Sequence, residues 1–283
     1  MDWQEKLQQP KYWLLAIAAA LVSLHLTYLA RAEDSDVISM SVLLWLAIGS
    51  LVWDKVEKGE NLKLESGGLS SAIAITLIAL VLIRSISPAG YHLRISPFIS
   101  IWALCLLAGG FQGLGYYWKE LVIGSLFLLY PVFASFLQAI DLATFTTKFS
   151  TFSLWATGFQ VYREGVTIFL PTGRVEVFGA CSGIESILQM LNLAVLFLLL
   201  VPTNKIQKTI CITVAVFLGF AVNAARVSFL AVLVAANHLD AFHYWHGGNG
   251  TFIFSIISVF LFGLFCWLTF LRNLSAPADE GET

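Results

Sequence analysis

The residues that could do chemistry stand at three places in the second half of the chain. The first is Cys181, in Phe178-Gly179-Ala180-Cys181-Ser182-Gly183-Ile184-Glu185-Ser186. A thiol at a helix entrance faces unpaired N–H groups and the positive end of the helix dipole, which favours the nucleophilic thiolate. Ser182 and Glu185 have the spacing of a capping box. That spacing predicts Ser182 as N-cap, Glu185 in the first helical turn and a lowered thiol pKa at Cys181. The small residues Gly179, Ala180 and Gly183 would let a substrate backbone come close. The competing account is a cysteine that packs at a helix entrance and does nothing more.

The second place is Arg226, three residues after Asn223 in an apolar stretch covering 210–236. A charged residue within such a stretch is costly and is a functional candidate by default. Counting from Lys208, the helix climbs about 27 Å before reaching Arg226. That is the depth expected for Cys181 at the head of the preceding span. A guanidinium there could stabilise a developing oxyanion. It could equally snorkel to the interface or pair with Glu185.

The third place is His243-Tyr244-Trp245-His246, followed by Gly247-Gly248-Asn249-Gly250. Histidine exchanges protons near neutral pH and is the natural acid/base. Tyr244 and Trp245 are also typical of a membrane-interface belt, which is the plainer explanation. Either His243 or His246 could be the base, and the glycine spacing favours His246. His238, His243 and His246 could suggest a metal, but the only acidic residue near them is Asp240, so neither metal nor cofactor is expected. Together, one Cys, one Arg and one His supply a nucleophile, an oxyanion stabiliser and an acid/base.

The elements that must hold these residues read as membrane helices. Apolar residues make up 58% of the 283 and charged residues 12%, far from the composition of a soluble domain. The mean hydropathy is +0.80. A net charge of −2 offers nothing to nucleic acid. The cysteines, at 105, 181, 211 and 266, form no CxxC pair. Apolar runs at 12–30, 37–53, 69–86, 95–115, 121–138, 182–201, 209–226 and 250–270 predict about eight transmembrane helices. Ala30-Arg31-Ala32 looks like a signal-peptidase site, but the preceding run is longer than a signal-peptide core and reads as a retained anchor. Gly109, Gly110, Gly113 and Gly115 are expected to let helices pack closely. The 54–65 segment reads as a solvated connection.

With the amino terminus inside, the lysines at 205 and 208 fall on the inner side, and 139–180 and 227–249 lie outside, with 227–244 either extending the seventh helix or lying at the interface. Phe145, Phe149, Phe152 and Ala156 have the spacing of an interfacial helix. Two β-rich runs around Pro171-Thr172-Gly173 predict a hairpin. The expected fold is an all-α polytopic membrane protein with a short external β-hairpin before the sixth span. Its regions are a five-helix membrane region, 1–138, and a catalytic region, 139–283.

The blocks Ala180-Cys181-Ser182-Gly183-Ile184, Asn223-x-x-Arg226-Val227 and His246-x-x-x-Gly250 occur in this order between long apolar stretches. In them the chain resembles the exosortase/archaeosortase family, most of all its cyanobacterial subgroup. The resemblance covers about 166–270. It implies a cell-membrane cysteine protease or transpeptidase working at the outer face. Its substrates would be exported proteins with a carboxy-terminal sorting signal of the PEP-CTERM kind, and a surface glycan or lipid could be the acceptor. Carried over, Cys181 would be the nucleophile, Arg226 the oxyanion stabiliser and His246 the acid/base. Ser182, Gly183, Glu185, Asn223, His243 and Gly250 would be supporting residues. A polytopic transporter using Arg226, or a non-catalytic factor in surface polysaccharide or protein export, would be the alternatives.

Overall fold

The computed structural model describes residues 9–31, 35–57, 64, 66–86, 90–247 and 249–272. The Ala30-Arg31-Ala32 motif falls partly outside these residues, as does most of the 54–65 connection. The chain divides into two compact units, Met1–Pro131 and Val132–Thr283.

The first unit holds α1 (Pro10–Arg31), α2 (Ser35–Glu57), α3 (Gly68–Ser85), α4 (Gly90–Gly113) and the start of α5 (Trp118–Gln138). Its helices touch through small or hydrogen-bonded residues. Trp45 Nε1 donates to His25 Nδ1 over 3.1 Å, tying α2 to α1. A Cβ on Gly124 would come within 2.7 Å of the tip of the Ile101 side chain, so α5 and α4 lie close there. Of the glycines expected to do this, Gly109 and Gly110 are buried and the other two are not in close contact. Gly110 has φ 59 and kinks α4, Gly113 makes only ordinary contact with Tyr117, and Gly115 faces open space. The end of α2 carries a buried ion pair. Lys55 Nζ lies 2.7 Å from Glu120 Oε1, with the two side chains 14% and 3% exposed. Lys55 also donates to the Tyr116 carbonyl.

The second unit begins within α5 and continues through α6 (Leu142–Ala156), β1 (Tyr162–Glu164), β2 (Thr167–Leu170) and β3 (Gly173–Glu176). A 3-10 turn (Gly179–Ser182) leads into α7 (Ile184–Leu200), α8 (Lys205–Ala235), α9 (Leu239–His246) and α10 (Asn249–Cys266). The strands form one antiparallel sheet in the order β1-β2-β3, one strand more than the two-stranded hairpin reading. Alternation sends Ile168, Leu170, Val175 and Val177 to one face, where they pack with Leu154, Cys181, Val227 and Ala231. The opposite face carries the stacked rings of Tyr162 and Phe169.

α8 is the spine of this unit. Asn204 and Gln207 close a capping box at its start. Its small residues Cys211, Ala215 and Gly219 are buried. A Cβ on Gly219 would meet the Ser186 carbonyl at 2.8 Å, so α7 and α8 run backbone to backbone. α6 turns its hydroxyls inward. Thr146, Thr147 and Ser150 are buried, and Ser150 Oγ donates to the Ala224 carbonyl. Phe145, Phe149 and Phe152 are left exposed. A helix with its polar face on the core and its rings outward is inverted relative to a water-soluble one and suits an apolar surround.

Each predicted span falls on a helix. Among the described residues, five helices are long and apolar enough to cross a membrane: Pro10–Arg31, Gly68–Ser85, Ile95–Gly113, Lys205–Ala235 and Gly250–Leu271. The chain is a mostly helical, multi-pass membrane protein. The helix of the seventh span runs on past Arg226 to Ala235, so 227–235 extends that helix, one of the two paths open to it in the sequence.

Candidate active site

Cys181 lies on the 3-10 turn between β3 and α7, its side chain buried. Four hydrogen bonds shape that turn. Cys181 N–H donates to the Phe178 carbonyl. Ser182 Oγ donates to the Gly179 carbonyl over 2.7 Å. Thr146 Oγ1 of α6 donates to the Ser182 carbonyl over 2.8 Å. Asn223 Nδ2 of α8 donates to the Cys181 carbonyl over 3.0 Å.

This corrects the capping reading. Gly183, in the left-handed region at φ 95, is the N-cap of α7, and no side chain caps that end. The Ser182 hydroxyl is turned back into the preceding turn, and Glu185 is exposed in the first turn of the helix. The physical reason is the pull of Thr146 and Asn223 on two successive carbonyls, which winds the chain tightly before the helix starts. Gly183 is required for its φ and also for room, since a Cβ there would sit 2.9 Å from Asn223 Nδ2.

α9 brings in the histidine. Cys181 Sγ and His246 Nε2 are 3.3 Å apart. The His246 ring stacks on Phe242, one turn earlier, with centroids 5.1 Å apart and planes 13° from parallel. His243 lines the same cavity but has no such contact with the sulfur. Gly250 sets the approach of α10 to α9, because a Cβ on it would lie 2.5 Å from the Tyr244 carbonyl.

Arg226 is buried and does not snorkel. One of its terminal nitrogens donates to the His246 carbonyl over 2.7 Å and to Thr251 Oγ1 over 3.2 Å. Thr251 Oγ1 in turn donates to the same carbonyl. Arg226 therefore holds the end of α9 in place.

The electrostatics differ from the sequence expectation of a lowered thiol pKa. Burial pushes the Cys181 thiol above its ordinary value. The Arg226 charge pulls the other way, and Glu185 adds to the rise. Partial desolvation against its neighbours holds the His246 imidazole below its ordinary value, although the residue is exposed at its outer side, and Arg226 and His243 hold it lower still. The resting pair at neutral pH is accordingly a neutral thiol beside a neutral imidazole. Desolvation outweighs the helix dipole here, since the dipole contributes about 0.3–1 kcal/mol near a helix end and burial can move a pKa by several units.

The pair opens onto a cavity of about 360 Å³ between β3, α8 and α9. Its walls include Val227, Leu230 and Val234 of α8, Leu239 and Phe242 of α9, and the β3 residues Arg174, Val175 and Glu176. Cys181, Ser182, Gly183, Asn223, Arg226, His243, His246 and Gly250 are thus assembled around one turn. Glu185 stands at its edge and acts through its charge. Thr146, Phe242 and Thr251 also shape the site and were not singled out in the sequence. Phe242 carried the one readable signal, an aromatic ring one helical turn before His246.

A buried thiol against an imidazole, with a guanidinium bonded to the histidine's carbonyl and a cavity alongside, is equipped for acyl transfer. The family model for the transmembrane exosortase (Exosortase_EpsH) matches residues 31–263. The chain belongs to this family, whose members are membrane-embedded sorting peptidases and transpeptidases acting on exported proteins. No curated protein matches the chain. No solved structure matches it.

Proposed function

We propose that this protein cleaves carboxy-terminal sorting signals of the PEP-CTERM kind from exported proteins, with Cys181 as nucleophile and His246 as acid/base. The observation that carries this reading is the 3.3 Å separation of Cys181 Sγ and His246 Nε2. That separation favours His246 over His243. Nε2 takes the thiol proton as Sγ attacks the scissile carbonyl carbon. Negative charge gathers on the carbonyl oxygen, and the positive field of Arg226 stabilises it. The imidazolium then protonates the leaving amine as the C–N bond breaks. A thioester on Cys181 remains. An acceptor amine, hydroxyl or water attacks it, losing its proton to His246, and the thiol is restored. Ser182, Gly183 and Asn223 hold the nucleophile's turn, and Gly250 holds the base. Glu185 and His243 tune the charge.

All eight apolar segments cross the membrane in this reading, with both termini inside. α8 is about 46 Å long, more than the ~30 Å of hydrocarbon, so its last turns emerge on the outer face. Arg226 then lies at the outer boundary, and the sheet and α9 stand outside it. A surface glycan or lipid is the proposed acceptor. The three sequence blocks favour the cyanobacterial subgroup.

The test is made in cells producing a tagged exported protein with such a signal. Precursor and product masses are compared between the intact protein and Cys181→Ala at equal abundance. Accumulation of the precursor in the variant alone supports the thiol mechanism. Unchanged processing overturns it.

A further inference from the structure

We infer that the substrate binds as an added β-strand on the free edge of β3, extended, with its scissile carbonyl carried past the end of that edge to Cys181. This rests on the peptidase reading above.

The argument begins with the ladder between β2 and β3. Val177 N–H donates to the Val166 carbonyl, which marks that pair as hydrogen-bonded. Antiparallel ladders alternate bonded and non-bonded pairs. The bonded pairs are therefore Val175 with Ile168 and Gly173 with Leu170, in the observed register. Arg174 and Glu176 fall between them. Their main-chain N–H and C=O groups point away from β2, and the sheet does not use them.

These groups face the site. Arg174, Val175 and Glu176 alternate across the sheet, Val175 inward and the other two outward. All three nevertheless line the cavity that contains Cys181 and His246. Residues from both faces of a strand can border one cavity only where the cavity lies along its edge. Unpaired edge groups are costly to leave dry and are a template for another strand.

The direction of the substrate follows from β3. A Cβ on Gly173 would touch Val234, whereas the Cys181 carbonyl is held by Asn223, about three turns earlier on α8. β3 thus descends from the outer end of α8 toward the head of α7. A substrate running from an exported domain into a membrane segment descends in the same sense and pairs in parallel. Residues on the amino side of the cut lie along β3. Residues on the carboxyl side have left it.

The test is a backbone scan of a synthetic sorting-signal peptide, cut by the purified full-length protein in lipid nanodiscs. Each peptide bond near the cut is N-methylated in turn, which removes one N–H without altering the enzyme. Loss of kcat/KM is expected at every second residue on the amino side, by about three- to ten-fold at each sensitive position. The intervening residues and the carboxyl side should be little affected. A flat profile, or sensitivity at the scissile bond alone, overturns strand addition while leaving the peptidase reading intact. Failure to cut the unmodified peptide overturns both.

Discussion

Asn223 and Arg226 stand one turn apart on α8, and each donates a hydrogen bond to the main-chain carbonyl of one member of the Cys181–His246 pair. Those two residues are 65 positions apart in sequence. Their separation is therefore fixed by the pitch of one helix rather than by the loops that carry them. A pair supported in this way is held by one rigid element, as the proposed short-range proton transfer requires.

Asn223→Ala should leave the Cys181 carbonyl without its partner and loosen the turn. One such bond corresponds to about 0.5–1.5 kcal/mol, or roughly a three- to ten-fold loss. The loss should appear in kcat with KM little changed. Steady-state kinetics on a peptide signal would check it. A change confined to KM would mean that Asn223 contacts substrate instead.

Arg226→Ala should be the more damaging variant, because it removes both the anchor of His246 and the positive field. A loss of about a hundred-fold or more in kcat is expected. Arg226 also holds the His246 pKa down. Its removal should move the acid limb of the pH–rate profile upward. Arg226→Lys should keep the charge and leave that limb nearer its original place, while recovering little activity because the ammonium lacks the reach and shape of guanidinium.

The pH dependence follows from the neutral resting pair. In the proposed mechanism His246 accepts the thiol proton only when unprotonated, and its pKa lies below the ordinary 6.5. Activity should therefore fall as pH drops through that lowered value. Cys181 titrates above its ordinary 9.0, so alkylation by iodoacetamide should stay slow at neutral pH and accelerate in alkaline solution. Fast alkylation throughout the neutral range would reveal a preformed thiolate. The charged groups entering this balance are Arg226, Glu185 and His243.

Gly250→Ala should push α10 off α9, since its Cβ would fall 2.5 Å from the Tyr244 carbonyl. Overpacking of this kind costs about 1–3 kcal/mol. The His246 end of α9 should shift with it. Reduced thermal stability in detergent, together with lost processing, is the expected result.

In the first unit, Glu120→Gln should leave the Lys55 ammonium buried without its carboxylate, at a cost of about 3–5 kcal/mol. The double variant Lys55→Met/Glu120→Leu should recover most of that loss. Thermal unfolding of both proteins in detergent would distinguish a structural pair from one with another use.

How much of this was legible can be traced through individual residues. The apolar runs predicted the helices because lipid leaves the backbone no other way to satisfy its hydrogen bonds. The order of Cys181, Arg226 and His246, each at the end of an apolar segment, pointed to one side of the membrane and to acyl transfer. The ion pair of Lys55 with Glu120 was invisible, because its partners are 65 residues apart and one lay in a segment that read as solvated. The Ser182–Glu185 spacing misled for a similar reason. A local capping pattern was overridden by Thr146 and Asn223, which reach the turn from 36 residues before Ser182 and 42 residues after Cys181.

By itself, then, the sequence determined the solvent, the helices and the types of residue available for chemistry, because hydropathy and residue identity are local properties. The tertiary structure alone decided that His246 meets the thiol, that Arg226 holds His246 in place, and that burial keeps Cys181 protonated. Distances and desolvation arise only when segments far apart in the chain pack together.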